Sequence, residues 1–183
     1  MINEKLKVRR SVLDKWKLHK AKWKKCKRCP IHRCTNHVLY RGVMPAKFAL
    51  IGEAPGNSED TVGYPFVGKA GDILEALMVE SGLNNERYCI GNTIACFPSQ
   101  DGNPNKFRVP TDKEMLECRE RLIAWTRLVQ PKAYILMGET AKKWWKEYGQ
   151  EMYPVDKDVL TLQIYHPAYL LRRGGTKSVV SGS

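Results

Sequence analysis

The chain has 183 residues, 43% of them hydrophobic, which suffices for one core and one domain spanning 1–183. No apolar run approaches membrane-spanning length and no apolar segment backs the basic N-terminus, so neither a helical span nor a secretory leader is expected, and a cytoplasmic monomer is. The formal charge of +12 is concentrated: residues 1–33 hold thirteen Lys and Arg against Glu4 and Asp14, while the remainder has eighteen against seventeen.

The first predicted element is a helical arm over 3–25 with Leu6, Leu13, Trp16 and Trp23 on one stripe, a spacing that docks the arm on the body. Its charge is either a solvated face or a polyanion-binding face. A one-signed field concentrated in one segment favours the second, with nucleic acid as the partner. Cys26, Cys29 and Cys34 follow. Six cysteines in a chain with no export signal point to a metal rather than to disulfides.

An extended segment through Tyr40 leads to a short apolar strand over 47–51, then to a stretch punctuated by Gly52, Gly56, Gly63, Gly68 and Gly71 that carries three carboxylates, Glu53, Glu59 and Asp60. The stretch is neither a Walker loop nor a dinucleotide fingerprint. Its carboxylates repel phosphate, whereas glycine backbone and Phe66 suit a flat uncharged ligand such as a nucleobase.

A helix with Ile73, Leu74, Leu77 and Met78 on one face stops at Gly82. A second strand is predicted over 88–95, followed by a loop rich in Gly, Pro and Asn over 97–110. Thr111 and Glu114 form a capping-box signature for a helix to about Val129. A third strand over 133–137, a helix from Thr140, and a fourth strand over 160–165 ending at His166-Pro167 complete the pattern. Residues 174–183 read as a tail.

Alternating strands and helices predict an α/β fold of three layers, a largely parallel central sheet flanked by helices. Ligands of open α/β sheets bind beyond the carboxyl ends of the strands, where Gly52-Glu-Ala-Pro-Gly56, Asn92 and His166-Pro-Ala168 all fall.

Together with Pro65-Phe-Val-Gly68, Ala70-Gly71 and the run from His166 to Arg172, these segments resemble the uracil-DNA glycosylase superfamily from about Trp23 to Arg173, and most of all its iron–sulfur-containing fourth family. The resemblance implies hydrolysis of the bond between uracil and deoxyribose in DNA. It implies catalytic roles for His166 as donor to the departing base, Glu53 as the residue positioning water, and Glu59 as a second carboxylate. Gly52, Ala54, Phe66 and Asn92 would hold the base, Asn92 by its edge. Leu170 and Leu171 would fill the vacated stack, with Arg172, Arg173 and Lys69 on the DNA. Singly, each of these residues is as readily structural; it is their occurrence in order that points to a site.

The same resemblance pairs Cys26 and Cys29 with Cys96 and Cys118 around a 4Fe–4S cluster. Locally, His32, Cys34 and His37 could instead complete a zinc knuckle with Cys26 and Cys29. Cys89 reads as a small buried residue, and Cys34 has no assigned place. The chain departs from the family pattern in a longer interval from Cys96 to Cys118, which includes an insertion over 100–107, and in Ala95-Cys-Phe-Pro-Ser99. Gly56 stands where strict uracil enzymes place a bulky residue, with Glu59 to cover the gap. Two rivals therefore stay open: a glycosylase for a modified pyrimidine, and a non-catalytic DNA-binding module stapled by metal.

Overall fold

The computed structural model describes residues 2–83, 87–152 and 159–173. The tail over 174–183 lies outside the described residues, as does the side chain of Leu6.

Alternation along three strands builds a sheet buried on both faces. In β2 (Phe48–Gly52), β3 (Tyr88–Asn92) and β6 (Ala133–Met137), successive residues point to opposite sides. Ala49, Ile51, Cys89, Tyr134 and Leu136 enter one apolar cluster; Leu50, Tyr88, Ile90, Ile135 and Met137 enter the other. With β1 (Tyr40–Gly42) and β7 (Leu160–Ile164) at the edges, the order is β1-β3-β2-β6-β7, parallel except for β1 against β3. The expected three-layer α/β architecture is present.

The first cluster is covered by α1 (Ile2–Trp23), α4 (Asp112–Val129) and α5 (Glu139–Met152). The second is covered by α3 (Lys69–Glu80), which packs in turn on α6 (Pro167–Arg172). Helix α3 ends as predicted, with Gly82 at positive φ and Leu83 N–H returning to the Met78 carbonyl at 2.8 Å. Thr111 and Glu114 form the predicted capping box of α4.

The arm docks, but not by its whole predicted stripe. Leu13 is 49% exposed; Trp16 and His19 instead meet Tyr40, whose ring stacks on Trp125 at 4.4 Å, and Trp23 packs against His19. Its field is partly neutralised, since Lys22 and Arg28 both pair with Glu120.

Three short elements were not expected from sequence. Helix α2 (Asn57–Val62) lies inside the glycine-rich stretch, α6 follows His166, and the predicted loop after Phe97 contains a hairpin of β4 (Ser99–Gln100) and β5 (Asn103–Phe107). The second strand stops at Asn92, not at residue 95.

Candidate active site

Parallel strands leave their carboxyl ends together, and the segments that leave β2, β3 and β7 enclose a cavity of about 350 Å³. Glu53, Ala54, Phe66, Asn92, His166 and Arg172 all line it.

Gly52 shows why side chains are missing here. A Cβ at this position would lie 2.5 Å from Asn92 Oδ1 and 2.7 Å from the Phe66 ring, so glycine lets the amide and the aromatic face meet over the backbone. Phe66 itself holds a positive φ of 56°, a conformation that non-glycine residues keep only where surroundings impose it. Asn92 is 1% exposed, and its Oδ1 has no hydrogen-bond partner among the described residues. A buried acceptor without a donor is a costly arrangement, and here it borders the cavity.

His166 caps α6. Its Nδ1 accepts from Ala168 N–H at 3.2 Å, which leaves Nε2 carrying the proton. Burial, with Arg172 nearby, lowers its pKa to about 4 against a small opposing effect of Glu59, so the ring is a neutral N–H donor at physiological pH. The Phe66 and His166 rings lie 5.8 Å apart.

Glu53 accepts a hydrogen bond from Thr140 Oγ1 at the start of α5 through Oε2, while its main-chain carbonyl accepts from Thr93 Oγ1 at 2.5 Å. The favourable end of the α5 dipole faces this carboxylate. Oε1 makes no hydrogen bond among the described residues and borders the cavity. Thr140 is a site residue that sequence reading missed; its position at the first turn of a helix after a strand was the available signal.

The other two carboxylates of the stretch have backbone partners. Glu59 accepts from the N–H groups of Gly56, Val67 and Gly68 at 2.9–3.0 Å, folding the stretch back on itself. Asp60 accepts from Thr35 and Asn36 N–H at 3.1 and 3.0 Å, tying α2 to the cysteine segment. Leu170 is half-buried, Leu171 is 37% exposed, and Arg172 and Arg173 flank the Tyr169 ring. Lys69 is exposed at the start of α3.

The thiols converge near the carboxyl end of β3 and the first half of α4. Burial, with Cys118 and Cys26 close by, pushes Cys29 up to about 11, and Cys96 is raised by Cys34, by burial, and by Cys118 and Cys29. Metal binding displaces such protons. Cys118 Sγ accepts from Arg121 Nε at 3.3 Å. Arg121 is 1% exposed and pairs with no carboxylate among the described residues; its other nitrogens donate to Tyr40 Oη at 2.6 Å and to the Asn92 and Thr93 carbonyls at 2.6 and 2.8 Å. A buried guanidinium is costly without a negative neighbour, and thiolates holding a metal would supply one. One residue thus connects the thiol cluster to the strand that presents Asn92.

Of the predicted zinc set the structure gathers Cys34 and His37, with Cys96 beside them in place of the Cys26 and Cys29 pair. His32 Nδ1 and His37 Nε2 bond to the carbonyls of Cys29 and Cys26, at 2.7 and 2.9 Å. Cys34, His37 and Cys96 instead bring one ligand atom each within 4.8 Å of one another. Cys89 is fully buried, as expected.

Comparison with known proteins gives a consistent result. The family described as the Uracil DNA glycosylase superfamily matches residues 41–180. The chain is similar to the type-4 uracil-DNA glycosylase of Thermotoga maritima, 35% identical over 81% of this chain and 79% of that protein. It is similar to that of Archaeoglobus fulgidus, 32% identical over the same shares, and to that of Pyrobaculum aerophilum, 33% identical over 72% of this chain and 64% of that protein.

Proposed function

Because the chain belongs to the uracil-DNA glycosylase superfamily, we propose that it hydrolyses the N-glycosidic bond of uracil flipped out of DNA, leaving an abasic site. The observation that carries this reading is the unpartnered Oδ1 of buried Asn92 beside the Phe66 ring. A pyrimidine stacked on Phe66 brings a ring N–H to that oxygen and a carbonyl to the amide nitrogen, which is the donor–acceptor order of uracil's edge and the reverse of cytosine's.

In the reaction the C1′–N1 bond breaks with both electrons going to the base, and positive charge grows on the sugar. His166 Nε2–H donates to the base carbonyl where the negative charge collects. A neutral donor stabilises the departing anion without having to lose its proton. Glu53, with Oε2 held by Thr140, has Oε1 left to orient water toward C1′ and to balance the sugar's charge. The water oxygen bonds to C1′ and gives up one proton to solvent, from which the released uracil anion takes one, so that the products are the sugar hemiacetal and free uracil. Glu59, with three amides on its carboxylate, shapes the pocket wall in this reading and does not exchange protons.

The reading includes a 4Fe–4S cluster on Cys26, Cys29, Cys96 and Cys118, supported by the gathering of thiols and by the carboxylate-free Arg121 beside Cys118. Such a cluster staples the arm to β3 and α4. The compact Cys34, His37 and Cys96 group supports a second reading, a single ion such as zinc, because ligands of one ion sit closer together than thiolates on four separate irons. The colour and metal content of Cys34→Ser and Cys118→Ser proteins separate the two.

Oligonucleotides carrying uracil, thymine or 5-modified cytosines test the function. Cleavage of uracil with little or none of cytosine is expected; activity confined to modified cytosines would transfer the assignment to the modified-pyrimidine rival. Among the described residues no helix is long and apolar enough to cross a membrane.

A further inference from the structure

The insertion over 100–107 supplies part of the cavity wall that no step of the reaction uses. Asn105 and Phe107 lie two residues apart on β5, hence on one face of the strand, and both line the cavity together with Arg172. Phe107 rests on Phe97, ring centroids 6.2 Å apart, and the two differ in exposure: Phe97 is 6% exposed and Phe107 46%. The inner ring packs as core; the outer ring presents a bare face at the rim.

The hairpin is fixed where it leaves the body. Arg108 N–H returns to the Pro98 carbonyl at 3.0 Å, and the Arg108 guanidinium grips both oxygens of Glu114 at 2.8 and 2.6 Å, the same carboxylate that caps α4. Lys106 is exposed beside it and makes no ion pair among the described residues. The side-chain amide of Asn105 makes no hydrogen bond there, while its main-chain N–H donates to Asn103 Oδ1 at 2.9 Å.

We propose that Phe107 is a second nucleobase-stacking residue, forming with Asn105 and Arg172 a subsite for the nucleotide adjacent to the extruded uracil. The inference rests on the DNA glycosylase reading. A strand that sends one nucleotide into the cavity must cross its rim, and extrusion strips the neighbouring base of its stacking partner. An aromatic face at the rim, flanked by cations, is the chemistry that binds unstacked bases without regard to sequence. Asn105 is placed to bond the sugar or the base edge, and Arg172, lining the same cavity, to attract the phosphate.

The test uses equilibrium binding of single-stranded oligonucleotides that carry a non-hydrolysable 2′-fluoro-deoxyuridine, with the 5′ or the 3′ neighbour either intact or replaced by an abasic tetrahydrofuran. For the wild type, removing the base on one side should weaken binding by about tenfold, the range of a single base–aromatic stack. Phe107→Ala should bind the intact oligonucleotide about as weakly and become indifferent to the missing base, while Phe107→Tyr restores the sensitivity. Phe107→Leu, which keeps the volume against Phe97 but loses the stacking face, gives the same reading if the alanine variant is unstable. Wild-type binding indifferent to both neighbours, or a Phe107→Leu variant as sensitive as the wild type, overturns the subsite. Cleavage of an ordinary uracil oligonucleotide by the wild type, run alongside, is unaffected by that outcome and fails only if the glycosylase reading itself is wrong.

Discussion

At Asn92, Gly52 and Phe66 the folded chain accepts local penalties that a structural role does not explain. An unpaired buried acceptor and a positive φ on an aromatic residue are each unfavourable, and they meet over Gly52 at the end of β2, within one contact of one another. Asn92→Ala removes the reader of the base edge, so the ratio of uracil to cytosine cleavage should fall by roughly a hundredfold, checked by single-turnover rates on paired oligonucleotides. Gly52→Ala drives a methyl into Asn92 and Phe66 and should abolish base binding while secondary structure survives in circular dichroism. Glu59 gives a contrasting expectation. With three backbone amides on its carboxylate, Glu59→Ala should lower stability by about 1–3 kcal/mol in urea unfolding, a loss visible without any substrate.

His166 also makes a pH prediction. Its pKa, lowered to about 4 mainly by burial, keeps the ring neutral through the range where an ordinary histidine titrates, so activity should show no loss attributable to His166 between pH 8 and about pH 5. His19, buried beneath the arm, is lowered to about 4 by the same cause, with Arg121 and Lys22 adding to it. The unfolded chain takes up these protons near pH 6.5 and the folded chain resists until about pH 4. Stability from both histidines is therefore present above pH 6.5 and is lost as pH falls toward 4, which urea midpoints at pH 7, 5.5 and 4.5 would reveal.

Among the elements, the arm and the hairpin differ in how far sequence disclosed them. The arm's docking was visible in Trp16 and Trp23, whereas His19 was hidden because a histidine among lysines reads as solvated until Tyr40 is known to cover it. Reversing Lys15, Lys17, Lys24 and Lys25 together should weaken binding to all DNA sequences alike and flatten its salt dependence, since phosphate contacts carry no base information. Lys22 belongs to a different group because it already pairs with Glu120. The hairpin escaped because Gly102, Pro104 and two asparagines, Asn103 and Asn105, outweigh a strand of five residues whose register is set by a turn at Asp101 and Gly102. Short helices α2 and α6 escaped for the same reason: six residues give too few apolar positions for a period to show.

At the scale of the whole molecule, the strand ends were legible because β-branched and aromatic runs bounded by glycine mark them, and a parallel sheet then dictates where they meet. What could not be read was what joins distant parts. Arg121, one of several arginines on α4 by sequence, is the buried link between Cys118, Tyr40 and the Asn92 carbonyl. On the proposed reading, loss of a metal would reach the strand that carries Asn92 through a charge left without a counterpart. Proteins with Cys26, Cys29, Cys96 or Cys118 changed to Ser should lose the visible absorption of the cluster and melt at lower temperature; in the single-ion reading Cys34→Ser would act in its place.

The most direct test of the whole account is single-turnover cleavage of a uracil oligonucleotide by the wild type, His166→Ala and Glu53→Gln, with binding of an abasic oligonucleotide measured in parallel. The wild type should release uracil, and each variant should lose roughly a hundredfold or more in rate while still binding the abasic product, because the lost interactions form mainly in the transition state. Wild-type rates in both variants would contradict the account.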